Sequence, residues 1–168
     1  AFDIVGPICT HCGTHMDAPL HYNKKMNVTE DSWSIDEIPV EWFYGDGVVF
    51  DFSDKPGTYS IQPEDLQEQL DKMGYELKPG DIVFIHTAAP RYAGTYEYQI
   101  QGAGMSRAAT LWLTKEKGIR VTGTDSYGWD RPFPVMGKEW IETGDPSVIW
   151  EGHLAGVEQA YSHIEKLW

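Results

Sequence analysis

At 168 residues, with 13 Lys+Arg against 26 Asp+Glu, the chain carries a formal net charge of −13. That balance excludes the basic patch that non-specific nucleic-acid binding needs, and it argues against docking on an anionic membrane leaflet. Apolar content of 41% suits a single folded domain, taken as residues 1–168, while the longest apolar runs, such as Ile82-Val83-Phe84-Ile85, are too short to span a bilayer.

In chain order, residues 22–46 are polar and aromatic, with Trp33, Trp42, Phe43 and Tyr44. Residues 47–52, Gly-Val-Val-Phe-Asp-Phe, read as a strand. Residues 63–73 read as a helix. Pro63 suits its first position, Glu64 and Asp65 complement the dipole, and Gly74 suits the stop. Lys78-Pro79-Gly80-Asp81 is turn chemistry, and a second buried strand is expected over 81–87. Residues 88–105 read as a loop over a site. Ser106 can cap a helix running to Lys117, ended by Gly118, before a third strand at 119–124. Residues 126–150 look like a second long excursion, and 164–167 like a closing strand. Alternating strands and helices make the fold class α/β, with a largely parallel or mixed sheet flanked by helices.

The chemistry concentrates near the start. His11, His15, Asp17 and His21 fall within eleven residues, all at odd positions. A straight strand would hold His11 and Asp17 about 20 Å apart, too far to share an ion. A continuous helix would rotate Asp17 off the face of the two histidines, and Pro19 would interrupt it. The segment must therefore curl, and Gly13 permits that. Two imidazoles and a carboxylate suit Zn²⁺, Mn²⁺ or Fe²⁺ and leave open positions, the pattern of a catalytic site. Cys9 and Cys12 form a C-x-x-C, but the Gly-Thr-His-Met-Asp-Ala-Pro run after it is a poor helix start for a redox motif. No second Cys pair exists for a structural zinc. Two cysteines also make no disulfide framework, so a reducing, cytoplasmic compartment is expected. No targeting segment is visible, in a chain that begins at Ala1.

The run His-x-Gly-Thr-His-x-Asp-x-Pro-x-His at 11–21 resembles the signature of the metal-dependent cyclase family, which includes kynurenine formamidases and isatin hydrolases. Further similarity lies in residues 102–113, 121–125 and 161–167. The resemblance implies a swivelling β/β/α-type domain, a homo-oligomer (dimer or tetramer), and metal-assisted hydrolysis of an amide or lactam. It assigns His11, His15 and Asp17 to a first metal and His21 to catalysis. His153 and Glu165 match a second metal's ligands. Two departures stand out. The chain starts almost on the first motif, lacking part of the family's N-terminal region. The stretch from Asp125 to His153 resembles the isatin hydrolases, which carry Gln at the His153 position and hold one metal. One or two ions per chain, Zn²⁺ or Mn²⁺, are thus expected.

Among the remaining residues, Trp129, Phe133 and Tyr92 are candidates to stack on an aromatic substrate, and Tyr96 is a further one. His163 is read as a hydrogen-bonded strand histidine rather than a ligand. His86, at the end of a predicted strand, suits a site or packing equally. The reading is a hydrolase cutting the C–N bond of an aryl formamide or cyclic amide, its substrate a small aromatic amide. The alternatives are a lactone or ester hydrolase on the same scaffold and a non-catalytic metal-binding module. At least a dimer is expected, with aromatic side chains of a neighbour closing the pocket.

Overall fold

The computed structural model describes residues 6, 7 and 9–168. Strand β1 (His15–Asp17) leads into the single turn of α1 (Pro19–Tyr22), and β2 (Lys25–Met26) pairs with β3 (Glu30–Asp31) in a small hairpin. Then come β4 (Gly47–Asp51), β5 (Ser60–Ile61), α2 (Pro63–Met73), β6 (Ile82–His86), β7 (Gly104–Met105) and α3 (Arg107–Leu111). The chain finishes with β8 (Val121–Thr124), α4 (Phe133–Thr143), α5 (Glu151–Leu154) and β9 (Ser162–Glu165). The main sheet has the order β1-β9-β8-β6-β4. Four of its strands run parallel, and β1 closes one edge antiparallel to β9. The mixed α/β architecture expected from the sequence is present.

The helix over 63–73 forms with the expected bounds. Pro63 opens it, Gln62 and Asp65 form a reciprocal cap, and Gly74 ends it at φ +63°. Ser106 accepts from the Ala109 N–H as the expected cap of α3. Beyond Leu111 this helix widens into a π-type turn over Trp112–Glu116, while the Thr110 and Thr114 hydroxyls donate to carbonyls four residues back. Leu66, Leu70, Ala109 and Leu113 from these helices pack on Val48, Phe50, Val83 and Ile85 of the sheet.

Two expectations change. The strands at 47–52 and 81–87 alternate between buried and more exposed positions, while β8 is buried throughout. In β4, Val48 and Phe50 face the core, while Val49 is 56% exposed. The excursion at 126–150 contains α4. Pro132 and Pro134 suggest a loop, yet proline is tolerated at a helix start, and Gly144 ends the helix at φ +70°. Among the described residues, no helix is long and apolar enough to cross a membrane.

Candidate metal centre

The antiparallel ladder of β1 and β9 builds the floor of the site. Its register sets His15 opposite Glu165 and Asp17 opposite His163. Alternate residues of a strand share a face, so these four side chains fall on one side of the sheet edge. Gly13, at φ +67°, turns the chain so that His11 folds back over β1. His11 Nδ1 then lies 3.0 Å from His15 Nε2 and 3.0 Å from Asp17 Oδ1. His15 Nε2 is 3.5 Å from the same oxygen. The curl expected from the sequence is present, and it brings these three donors to one point.

A second group shares Asp17. Asp17, His153, His163 and Glu165, all buried, each offer a donor atom within 4.8 Å of the others. His153 comes from α5. Its Nδ1 hydrogen-bonds Asp130, whose carboxylate also accepts the Gly152 N–H at 2.5 Å and the His153 N–H at 3.1 Å. A carboxylate only accepts, so Nδ1 carries the hydrogen and Nε2 keeps a lone pair, 3.6 Å from Glu165 Oε1. His15 is oriented the same way: Nδ1 lies 2.8 Å from the Gly13 carbonyl, which leaves Nε2 for the site. His21, at the last turn of α1, places Nε2 3.8 Å from Asp17 Oδ2 and tilts against the His11 ring.

Among the described residues, the two carboxylates and the imidazoles of this cluster hold one another's charge against burial. Burial works to raise the Asp17 pKa, but the adjacent His163 imidazole outweighs it and holds the carboxyl below its usual range. Glu165 behaves alike: burial opposes its ionisation, and His163, His153 and Lys166 overcome that. On His163 burial disfavours charge, yet the two carboxylates push its pKa up to about 9. Burial lowers the His21 pKa; Asp17 opposes this in part, and the neighbouring histidines add to it. Asp17 Oδ2 is buried and accepts no well-aligned hydrogen bond, although His163 Nε2 is 3.2 Å away. An orphaned carboxylate oxygen ringed by imidazoles fits a divalent cation, and the donor set of nitrogen and carboxylate oxygen fits it too.

Above this floor opens a cavity of about 260 Å³. Phe133, Trp150, Tyr127, Arg131, His21 and His153 are on its wall. Trp150 stacks on His153 with ring centroids 4.8 Å apart. Cys9 and Cys12 are exposed thiols at the same cavity, joined by a backbone turn. Of the four expected substrate-stacking residues, only Phe133 lies here; Tyr96 is an exposed side chain outside this wall. Trp129 is 1% exposed, a core residue that stacks on His163, donates its indole N–H to Thr110 and gives its backbone N–H to Glu165. Tyr92 lines a separate cleft with Lys55, Thr87 and Arg91. His86 pairs with Asp125 at the far end of β6, away from the cluster.

The sequence reading took His163 as a hydrogen-bonded strand histidine, which it is, but did not place it beside Asp17, and it passed over Asp130 and Trp150. His163 carried a signal, since it shares strand parity with Glu165. Asp130 and Trp150 carried none, because only the folded chain brings them to His153.

Residues 7–131 match a family model described as "Putative cyclase". An uncharacterized protein of Haemophilus influenzae is 38% identical over 63 residues, which is 38% of this chain and 40% of that protein. Isatin hydrolase A from Labrenzia aggregata, solved with benzyl benzoate bound, aligns with a TM-score of 0.70 at 26% identity, covering 94% of this chain and 60% of that one. Isatin hydrolase A from Ralstonia solanacearum shares the fold, with a TM-score of 0.70 at 20% identity over 95% of this chain and 60% of the other. The chain therefore spans 40% of the curated relative and 60% of each isatin hydrolase. The family match and the clustering of its histidines and carboxylates agree: the chain belongs to the cyclase family.

Proposed function

We propose that this chain carries the metal centre of a hydrolase that cleaves the C–N bond of an aryl formamide or cyclic amide. One observation carries the reading: the orphaned, buried Asp17 Oδ2 sits among converging imidazoles under an aromatic-walled cavity. The likeness to isatin hydrolase A at 26% identity supports it. When bound, a zinc or manganese ion supplies Lewis acidity toward a carbonyl oxygen and makes water a nucleophile at neutral pH. His11, His15 and Asp17 would hold one ion; Asp17, His153 and Glu165 would hold a second. Phe133 and Trp150 offer faces to an aromatic ring, and Asp130 fixes the His153 tautomer. His21, its pKa lowered chiefly by burial, takes a proton from water at Nε2 and returns it to the departing nitrogen.

The test is colorimetric hydrolysis of N-formylkynurenine and of isatin by metal-loaded protein. Turnover of either, lost on chelation, is expected. Activity on neither, with metal bound, would leave a metal-binding module. His21→Ala should keep its metal and lose roughly 10²–10⁴-fold in rate; loss of metal along with activity would make His21 a ligand. Metal titration should approach two equivalents per chain, falling to one in Glu165→Gln. A single equivalent in both proteins would leave a mononuclear site. The proposal extends to a cytoplasmic homo-oligomer, and sedimentation at assay concentration should show at least a dimer.

A further inference from the structure

In β9, His163 and Glu165 face the metal centre, so regular continuation would send Lys166 to the opposite face. Instead Lys166 adopts φ +56°, a left-handed conformation that side chains other than glycine rarely hold. Both of its backbone groups are tied down: its N–H donates to the Ser126 carbonyl at 3.1 Å, and its carbonyl accepts the Thr14 hydroxyl at 2.6 Å. Strain of this kind gathers where structure over-determines a side chain's direction. Here the effect is to bring Lys166 to the wall of the aromatic cavity, beside Glu165 and not behind it. Its side chain is 10% exposed, with Nζ 4.5 Å from the Tyr127 ring centre and 3.4 Å from Glu165 Oε2.

A nearly buried ammonium needs a strong partner. The other cation on the wall, Arg131, is already committed to Glu139 at 2.7 Å and Glu151 at 3.4 Å. Among the described residues, Lys166 meets one carboxylate, donating to Glu165 Oε2 in a single long hydrogen bond of 3.4 Å. If Glu165 also serves a divalent ion, it has less charge to share with the ammonium. The cavity then holds a cation in want of an anion, next to where the acyl group would react.

We propose that Lys166 Nζ is the anion-holding group of this cavity, taking the negative charge on the acyl oxygen of its ligand. The pocket would accordingly select aromatic carboxylates over uncharged aromatics of equal size. The reaction half of this idea rests on the hydrolase reading; the binding half does not. In the hydrolysis, water oxygen bonds to the acyl carbon and negative charge builds on the carbonyl oxygen. The C–N bond then breaks with its electron pair going to nitrogen, which takes one proton from the water. In a cyclic aromatic amide the acyl part becomes a carboxylic acid still joined to the ring, loses its remaining proton, and stays as an aromatic carboxylate against Lys166; an aryl formamide would leave formate there instead.

The test titrates benzoate and benzamide into the metal-loaded protein and reads binding by calorimetry. Lys166→Gly is the informative variant, because glycine accepts this backbone conformation and should fold. Wild type should bind benzoate at least about tenfold tighter than benzamide, and Lys166→Gly should lose that preference at unchanged metal content. Lys166→Arg should retain it. Equal benzoate affinity in wild type and Lys166→Gly would overturn the proposal. If benzoate binding depends on Lys166 while no amide is turned over, the anion site stands and the hydrolase reading falls. If amides are hydrolysed, Lys166→Gly should lower kcat about 100-fold with little change in KM. Unchanged kcat there would remove Lys166 from the reaction.

Discussion

Asp17→Ala is expected to yield a folded protein with metal affinity weakened more than about 100-fold and no measurable turnover. The carboxylate is the one group common to both donor clusters: Oδ1 faces His11 and His15, and Oδ2 faces His163 and His21. Removing it leaves each set of imidazoles without its central anion. Folding should suffer little by comparison. The β1–β9 ladder is made by backbone groups, and the Asp17 carbonyl still accepts from Tyr22 and Ser162. What is lost is a buried ion pair with His163, one in which Asp17 Oδ2 accepts no well-aligned hydrogen bond. The expected net cost is about 1–3 kcal/mol. Elemental analysis beside a urea unfolding curve separates the two effects. Full metal content in a normally folded variant would remove Asp17 from the metal site.

Local signals made part of this site legible. The odd-numbered polar positions of 15–17 and the glycine at 13 foretell one face and one bend, and both are present. The closing strand was also visible, shifted by two residues, but its register was not. A one-residue slip would have turned His163 and Glu165 away from β1. What fixes the register includes the Tyr22 hydroxyl, which accepts from the His163 N–H across 141 residues of sequence. No window along the chain contains both. Trp129 shows the converse failure. Composition marks it as a residue able to stack on a ligand, whereas burial makes it a packing surface for His163. Aromatic residues near a motif do not reveal which of them fill the core.

Gly104→Ala is expected to cost more than about 4 kcal/mol or to prevent folding. A β-carbon at this position would lie 2.0 Å from the Arg131 nitrogen and 2.2 Å from the Asp130 carbonyl carbon. Both obstacles are backbone, so no rotamer change relieves them. Nor is the strand that bears Gly104 able to retreat. Its N–H donates to the Tyr59 carbonyl at 3.1 Å, and the next residue, Met105, donates to the Trp129 carbonyl at 2.9 Å. The 129–131 segment would have to move instead, and it carries the Trp129 N–H that Glu165 accepts and the carboxylate that holds His153. Any molecules that fold should therefore lose the second donor group while His11 and His15 stay in place. Gly137→Ala is the control: nothing lies within 4 Å of its added carbon, inside α4. That change should raise stability by about 0.5–1 kcal/mol. Thermal melts of the two variants should therefore move in opposite directions. A Gly104→Ala protein melting with wild type would mean that the segment bearing Asp130 yields freely, and that the close backbone approach does not set the position of His153.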